Sequence, residues 1–513
     1  MTGSNRDRPA IETPLPLVKG TADRLPAVLA RQSGLEDLLL DRFARAGYDR
    51  MKTPVLELVE LHERKSGAGI VSKLFELSGP ASGRVCLRPE LTAGVVRAYT
   101  AADPPPPTPW RVSHAGPAFR HESPTRSDRL REFHQVGVER LGDGGPEADA
   151  EVIWLAHWSL AESGVEGARI RLGDVGLILE LLGRSGLPPT AQGALVEMLS
   201  EAAAEGGDVG MLGRGLDHFS DWLRQASSSD EAIALPADSA DDGGVDRLFR
   251  TLVPVVNGRR PGHEIVRRLR RKWDLGRGWL EILDRVRDQV RALADLKGPP
   301  GEVLDRLARD YETLAPVSVG SLRALVRRLG DYGVPADRLD LDLGFGRGIG
   351  FYSQMVFEIV APTPGGPVEV CGGGRYDGLA RVLGSDRDDQ GVGFAFGLER
   401  LDAARQAQGV RPDPGGPEPI LIVPDRPGSV PHAIRLATLL RSKGVRAILD
   451  HESPPASTAA RAAELGAGRR VVVGDHRGDD GLTLHDRRGP KSDRIALDDL
   501  IRIAVGEAGY PQP

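Results

Sequence analysis

Apolar residues between Leu25 and Ala46 recur at helical spacing (Val28, Leu29, Leu35, Leu38, Leu39, Phe43) and stop at Gly47, so a helix is expected there. Short extended segments follow at 53–58, 73–77 and 84–90, then a helix from Thr92 to about Ala101. The run DPPPPTP at 103–109 lacks backbone donors and reads as a stiff connector. Strand candidates at 111–123 and 131–142 precede a helix containing Trp154 and Trp158. Residues 176–335 change texture: rich in Leu, Ala, Arg and Asp, they read as an inserted helical domain. Extended character returns at 339–360 and runs through VEVCGGGRYDGLARVLG to the apolar stretch GVGFAFGLERLDAARQA. After a Pro/Gly-rich linker, PILIVP, VRAILD and RRVVVGD alternate with helices, the pattern of a parallel α/β sheet. The expected organisation is a flexible leader over 1–20, a core from 21–175 and 336–411, a helical insertion over 176–335 and a small α/β domain over 418–513.

The 513 residues suit two to four domains, and 40% hydrophobic against 27% charged residues allows a sizeable core. No segment approaches the roughly 20 apolar residues of a membrane span, and the N-terminus lacks a secretory apolar stretch. With only Cys86 and Cys371 there is no disulfide framework or Cys-based zinc site to expect, and a cytoplasmic protein is anticipated. A net charge of −6 argues neither for nor against nucleic acid, because binding depends on a local basic patch. The densest patch is Arg267, Arg268, Arg270, Arg271 and Lys272, a candidate nucleic-acid contact or a solvated helix.

Several residues have the chemistry of a site. Alternation along a strand puts Arg120 and Glu122 on one face. The same rule aligns Arg131, Phe133, Gln135, Gly137 and Glu139. A hairpin of these two strands gathers cations and acceptors, suited to a phosphate or carboxylate and an amine or imidazole; a solvated face with scattered ion pairs is the plainer alternative. LRPELT sets Glu90 and Thr92 at a helix start, as ligand contacts or as a cap. Arg347 lies in a Gly-rich turn, and Tyr376 follows GGGR, where backbone can approach a ligand closely. That stretch is neither a P-loop nor a dinucleotide fingerprint. Arg400, at a helix start, is placed to stack on a planar base.

In order and spacing these segments resemble the three motifs of class II aminoacyl-tRNA synthetases, and most closely the histidyl-tRNA synthetase family. TPVLE resembles motif 1, the dimer-interface strand; FRHESPTRSDRLREFHQVGVE resembles motif 2; GVGFAFGLERL resembles motif 3; GRGIGFYSQMVFE and VCGGGRYDGL resemble the two histidine motifs. The resemblance implies an α+β fold: an antiparallel sheet flanked by helices, with a helical insertion and a C-terminal anticodon-binding-like α/β domain. It implies that histidine is activated with ATP and Mg²⁺, as a substrate complex without a tightly bound cofactor or resident metal, and passed to tRNA by a homodimer. Residue by residue, Arg120 would hold the α-phosphate and the histidine carboxylate, and Glu122 would sit near the adenine. Glu90, Thr92 and Gln135 would take the amino group, and Glu139, Tyr352 and Tyr376 would surround the imidazole, with Leu91 and Phe351 beside them. Arg347 would stabilise charge on the α-phosphate and carboxylate, and Arg400 would stack on adenine.

Two departures stand out: Arg-Gly-Leu-Asp-Tyr-Tyr of the family reads Arg347-Gly348-Ile349-Gly350-Phe351-Tyr352 here, and Ser123 stands where Arg is usual. The regulatory subunit of ATP phosphoribosyltransferase resembles the same catalytic domain, and GVERLGDGGPEADAEVIWLA is similar to it. On that alternative the partner is the ATP phosphoribosyltransferase catalytic subunit.

Overall fold

In the computed structural model the described residues are 15–66, 73–77, 83–121, 130–187, 192, 195, 217, 279–345, 352–386, 389–410, 418–451, 457–474, 482–486 and 492–506. Glu122, Arg347, Phe351 and the basic segment around Arg267–Lys272 lie outside them. The chain forms two compact units, Met1–Arg411 and Pro412–Pro513.

In the first unit the strands are β1 (Asp49–Met51), β2 (Leu56–Leu58), β3 (Phe75–Leu77), β4 (Val85–Leu87), β5 (Trp110–Phe119), β6 (Glu132–Leu141), β7 (Arg169–Asp174), β8 (Lys297–Gly298), β9 (Leu339–Asp342), β10 (Met355–Ala361), β11 (Val368–Arg375) and β12 (Gly391–Gly397). Nine form one sheet in the order β1-β5-β6-β12-β11-β10-β7-β9-β8. Its centre, from β5 to β7, is antiparallel throughout, as expected. The flanks are not: β1 runs parallel to β5 and β9 parallel to β7, so the sheet is mixed. Neither β7 nor β8 was expected as a strand, and β8 falls within the 176–335 stretch.

The segments before 175 and after 336 interleave in this one sheet, because β6 pairs with β12 and β7 with β10. One sheet face carries Val136, Val138, Ile170, Leu172, Phe357, Ile359, Phe394 and Phe396 into the main core. Helices 26–45, 146–162, 175–184, 279–294, 300–310 and 316–331 contribute to that core through residues such as Leu35, Phe43, Ile153, Leu177, Val290, Leu307 and Leu322. Pro26 starts the first helix, and Gly47, at φ +84°, lets the chain turn after it. On the opposite face, Val112, Leu141 and Tyr376 pack with Val95, Val96 and Tyr99 of helix 92–101. Glu139, which pairs with Val112, lies on this second face.

Helix 175–184 is capped by Asp174, whose Oδ1 accepts from the Leu177 amide at 3.1 Å. Burial pushes this carboxyl up to about 7, the Leu177 amide pulling against it and Asp149 adding to the rise. The folded protein therefore keeps a proton that an ordinary Asp loses near 3.8. Stability contributed here is full below that value and falls as pH rises to about 7. Asp174→Asn keeps an acceptor for the cap but cannot ionise. In urea denaturation it should be more stable than wild type at pH 8, with the gap closing towards pH 4.

In the second unit, β13 (Ile420–Pro424), β14 (Ala447–Leu449), β15 (Arg469–Val473), β16 (Leu482–Asp486) and β17 (Ser492–Ile495) order as β14-β13-β15-β16-β17. The first three are parallel, as the alternation with helices predicts; β16 and β17 add an antiparallel hairpin that was not expected.

Candidate functional site

Glu139 sits on β6, on the face opposite Val136 and Val138, and is 1% exposed. The solvated-face alternative therefore fails at this position. Its Oε1 accepts from Thr92 Oγ1 at 2.6 Å and lies 3.3 Å from His114 Nε2; its Oε2 accepts from the Tyr376 hydroxyl. Burial, reinforced by Glu139, raises the Tyr376 phenol well above its ordinary range, so it stays protonated and donates. His114 pairs across β5 and β6 with Gly137, which makes Glu139 its diagonal neighbour on the same face. Two glycines make the room. A Cβ on Gly137 would come within 2.1 Å of the Phe394 carbonyl, and one on Gly393 within 1.8 Å of Glu139 Oε2.

Helix 92–101 brings the next group. Leu91 is buried just before it, and the Glu90 carboxylate turns back to accept from the Ala93 amide at 3.1 Å. Glu90 is therefore a cap, and it is also ion-paired: Lys65 Nζ lies 2.8 Å from Oε1, and His62 Nδ1 lies 3.8 Å from it. Burial works to raise the Glu90 carboxyl, but Lys65 and His62 outweigh it and hold it at about 2. Burial lowers Lys65, with Glu90 pulling the other way. Burial brings His62 down to about 4, leaving its ring neutral at pH 7.

Arg120 follows β5 and opens towards the same end of the sheet. Its Nε donates to the Pro89 carbonyl at 3.0 Å, and its guanidinium lies 5.2 Å from the Phe133 ring centre. Pro89 thus joins the arginine to the Glu90 segment. Gln135, half-buried on β6, stands opposite Gly116 in register. Tyr352 packs its ring where a Cβ on Gly374 would lie, 2.9 Å away. Arg400 is in the first turn of helix 398–407, 46% exposed at its side chain and 3.4 Å from Glu369.

The structure thus gathers Glu90, Leu91, Thr92, Glu139 and Tyr376 around one another, with Arg120 tied to the Glu90 segment through Pro89. Arg400 is engaged by Glu369 on β11 rather than by that cluster.

Strand packing by itself accounts for one of the GGGRYDG glycines. Gly373 lies against the Gly393 carbonyl and Phe394, so strand packing already requires it to be small. Arg375 is fully buried, donating to Asp149 on helix 146–162 at 2.8 Å and to Asp377 at 2.9 Å. Residues His62, Lys65 and His114 were not singled out from sequence. The one signal was their spacing: His62 and Lys65 are three apart, hence on one face of helix 59–66.

The family profile of histidyl-tRNA synthetase matches residues 20–218 and 244–401. The chain belongs to the histidyl-tRNA synthetase family. It is 28% identical over 490 residues to the histidine–tRNA ligase of Pyrococcus furiosus, spanning 95% of this chain and 98% of that one. It is 31% identical over 458 residues to the ATP phosphoribosyltransferase regulatory subunit of Moorella thermoacetica, spanning 89% of this chain and 98% of that one. Apo histidyl-tRNA synthetase of S. aureus superposes with a TM-score of 0.63 at 21% identity, over 96% of this chain and 100% of that one, a likeness of fold. Family membership and the mixed sheet with flanking helices are in agreement. Among the described residues no helix is long and apolar enough to cross a membrane.

Proposed function

We propose that this chain is a histidine–tRNA ligase, joining histidine to ATP as histidyl-adenylate and transferring the acyl group to tRNA. The observation that carries this reading is the buried Glu139 carboxylate, held by Thr92 and Tyr376 in a pocket with His114. A carboxylate offers about four acceptor sites, so one oriented by Thr92 and Tyr376 can also accept the N–H of an imidazole. Glu90, Thr92 and Gln135 are assigned to the amino group, and Tyr352 and Phe351 to the ring's surroundings. Arg120 and Arg347 are assigned to the α-phosphate and carboxylate, Glu122 and Arg400 to the adenine, and Mg²⁺ arrives with ATP. The protein's work in adenylate formation is to align the carboxylate with the α-phosphate and meet developing charge with fixed cations. The chain is assigned to a homodimer on its apolar flank: Leu58, Val85 and Leu77 form one row across β2, β4 and β3, with Leu58 and Leu77 exposed.

The test is histidine-dependent exchange of pyrophosphate into ATP by the full-length protein. The second unit is assigned to anticodon contact, so deleting 416–513 should weaken tRNA charging at least tenfold while exchange stays within a few-fold. Loss of both activities together would refute that division of labour.

The 31% identity to a regulatory subunit, and a Glu90 already held by Lys65, favour a second reading. On it the chain binds histidine without activating it and controls an ATP phosphoribosyltransferase catalytic subunit. Absence of exchange, together with histidine-sensitive activation of that transferase, would establish the second reading over the first.

A further inference from the structure

Tyr352 and Tyr376, both assigned to the surroundings of the imidazole, stand on separate segments. Tyr352 lies ahead of β10 and Tyr376 just past the end of β11. The two strands pair from Val356 with Gly374 onward, so both tyrosines lie beyond the ladder. Ser353 joins the segments there. Its amide donates to the Arg375 carbonyl at 2.8 Å, and its hydroxyl accepts from the Asp377 amide at 2.9 Å and donates to the Arg375 carbonyl at 3.3 Å. The residues on either side of Tyr376 are thus both tied to the residue after Tyr352.

Each segment is anchored elsewhere too. The Tyr376 amide donates to the Gly391 carbonyl at 2.8 Å. The Asp377 carboxylate accepts from the Gly391 amide at 3.2 Å and from Arg375 at 2.9 Å, which fixes the 375–377 turn to β12. On the other side, the Gln354 carbonyl accepts from the Val175 amide at 2.9 Å, at the start of helix 175–184. Ser353 therefore sets the spacing between two anchored segments. Tyr352 packs against the apolar cluster that contains Tyr376, and the Tyr376 hydroxyl reaches Glu139. A slip of one segment past the other would move Tyr352 relative to the acceptor that Tyr376 holds.

We propose that Ser353 is a positioning residue of the histidine pocket, its hydroxyl locking the Tyr352 segment to the Tyr376 turn and so setting the spacing of the two rings. This rests on the histidine-site reading above and concerns how that site is shaped. The role of Ser353 is preorganisation, so its loss loosens the pocket without removing a ligand contact. Without the hydroxyl the Asp377 amide loses its acceptor, while the bond from the Ser353 amide remains.

The experiment is calorimetric titration of the full-length protein with L-histidine, alongside urea denaturation of the same variants. Ser353→Ala should weaken histidine binding on the order of tenfold, the scale set by one partly buried amide left without its acceptor. Ser353→Thr keeps the hydroxyl and should stay within about threefold of wild type. Leu322→Ala removes packing from the core on the opposite face of the sheet. It should lower the unfolding midpoint at least as far as Ser353→Ala, yet bind histidine as wild type does. Should Ser353→Ala fail to fold, Ser353→Cys, whose thiol is a weak acceptor, should show a loss in the same direction. Wild-type histidine affinity in Ser353→Ala overturns the role of Ser353 alone, as does a loss shared equally by Ser353→Thr or Leu322→Ala. No binding of histidine to the wild-type protein overturns the histidine-site reading, and this inference with it.

Discussion

Arg120→Ala should lower histidine-dependent pyrophosphate exchange on the order of 10²–10³-fold, the loss typical of removing one preorganised donor aimed at developing charge. Its position makes the effect separable from a folding defect. The guanidinium is fixed at one edge by the Pro89 carbonyl and across one face by the Phe133 ring. Arg120→Lys keeps a charge but cannot reproduce the planar fork, so it should recover only a small part of the loss. Arg347→Ala carries the same expectation from its motif. Near-wild-type exchange by Arg120→Ala, with thermal stability unchanged, would rule out its assigned role.

A second large effect is structural. Arg375→Ala should destabilise the first unit by about 3–5 kcal/mol, the cost of leaving a buried charge without its partner. Arg375 joins three elements: it ends β11, donates to Asp149 on helix 146–162, and donates to Asp377, whose carboxylate accepts from the Gly391 amide at the start of β12. Burial already pushes the Asp149 carboxyl up to about 6 against the pull of Arg375. Without the arginine it rises further, the folded state must keep that proton, and the deficit grows with pH. The loss should thus be greater at pH 8 than at pH 5, and adding Asp149→Asn should restore part of it. Tryptophan fluorescence in urea isolates the unit concerned, because all six tryptophans precede residue 412. An unfolding midpoint equal to wild type at pH 8 would refute the argument.

Legibility followed locality. The helix at 92–101 and the hairpin of β5 and β6 were readable because period and turn are local properties, and the alternation that grouped Gln135, Gly137 and Glu139 holds in the sheet. Strand β7 was hidden in RIRLGD, whose charged positions suggest a surface; its partners β9 and β10 lie more than 160 residues further on and bury the alternate side chains. The second unit's hairpin escaped for the same reason, LTLHD and SDRI being too polar to announce strands. Lys65 is the instructive miss at the site. VELHERKS falls between the extended segments read at 53–58 and 73–77, and nothing within it signals burial, because its acid comes from Glu90. Arg375 was passed over because its Gly-rich neighbours drew attention to ligand approach, whereas the arginine itself is buried against Asp149.

The pairing of β6 with β12 also bears on how the protein is made. Glu139 is synthesised about 250 residues before Gly393, the residue it must lie against, and β5 and β6 cannot complete their sheet alone. A nascent chain emerging residue by residue must hold the open edge of β6, with its acids and apolar face, until β12 has left the ribosome. The cluster around Glu139 thus comes into being late and all at once, and fragments ending before 391 should possess the early strands yet lack the packing of Gly393 on Glu139.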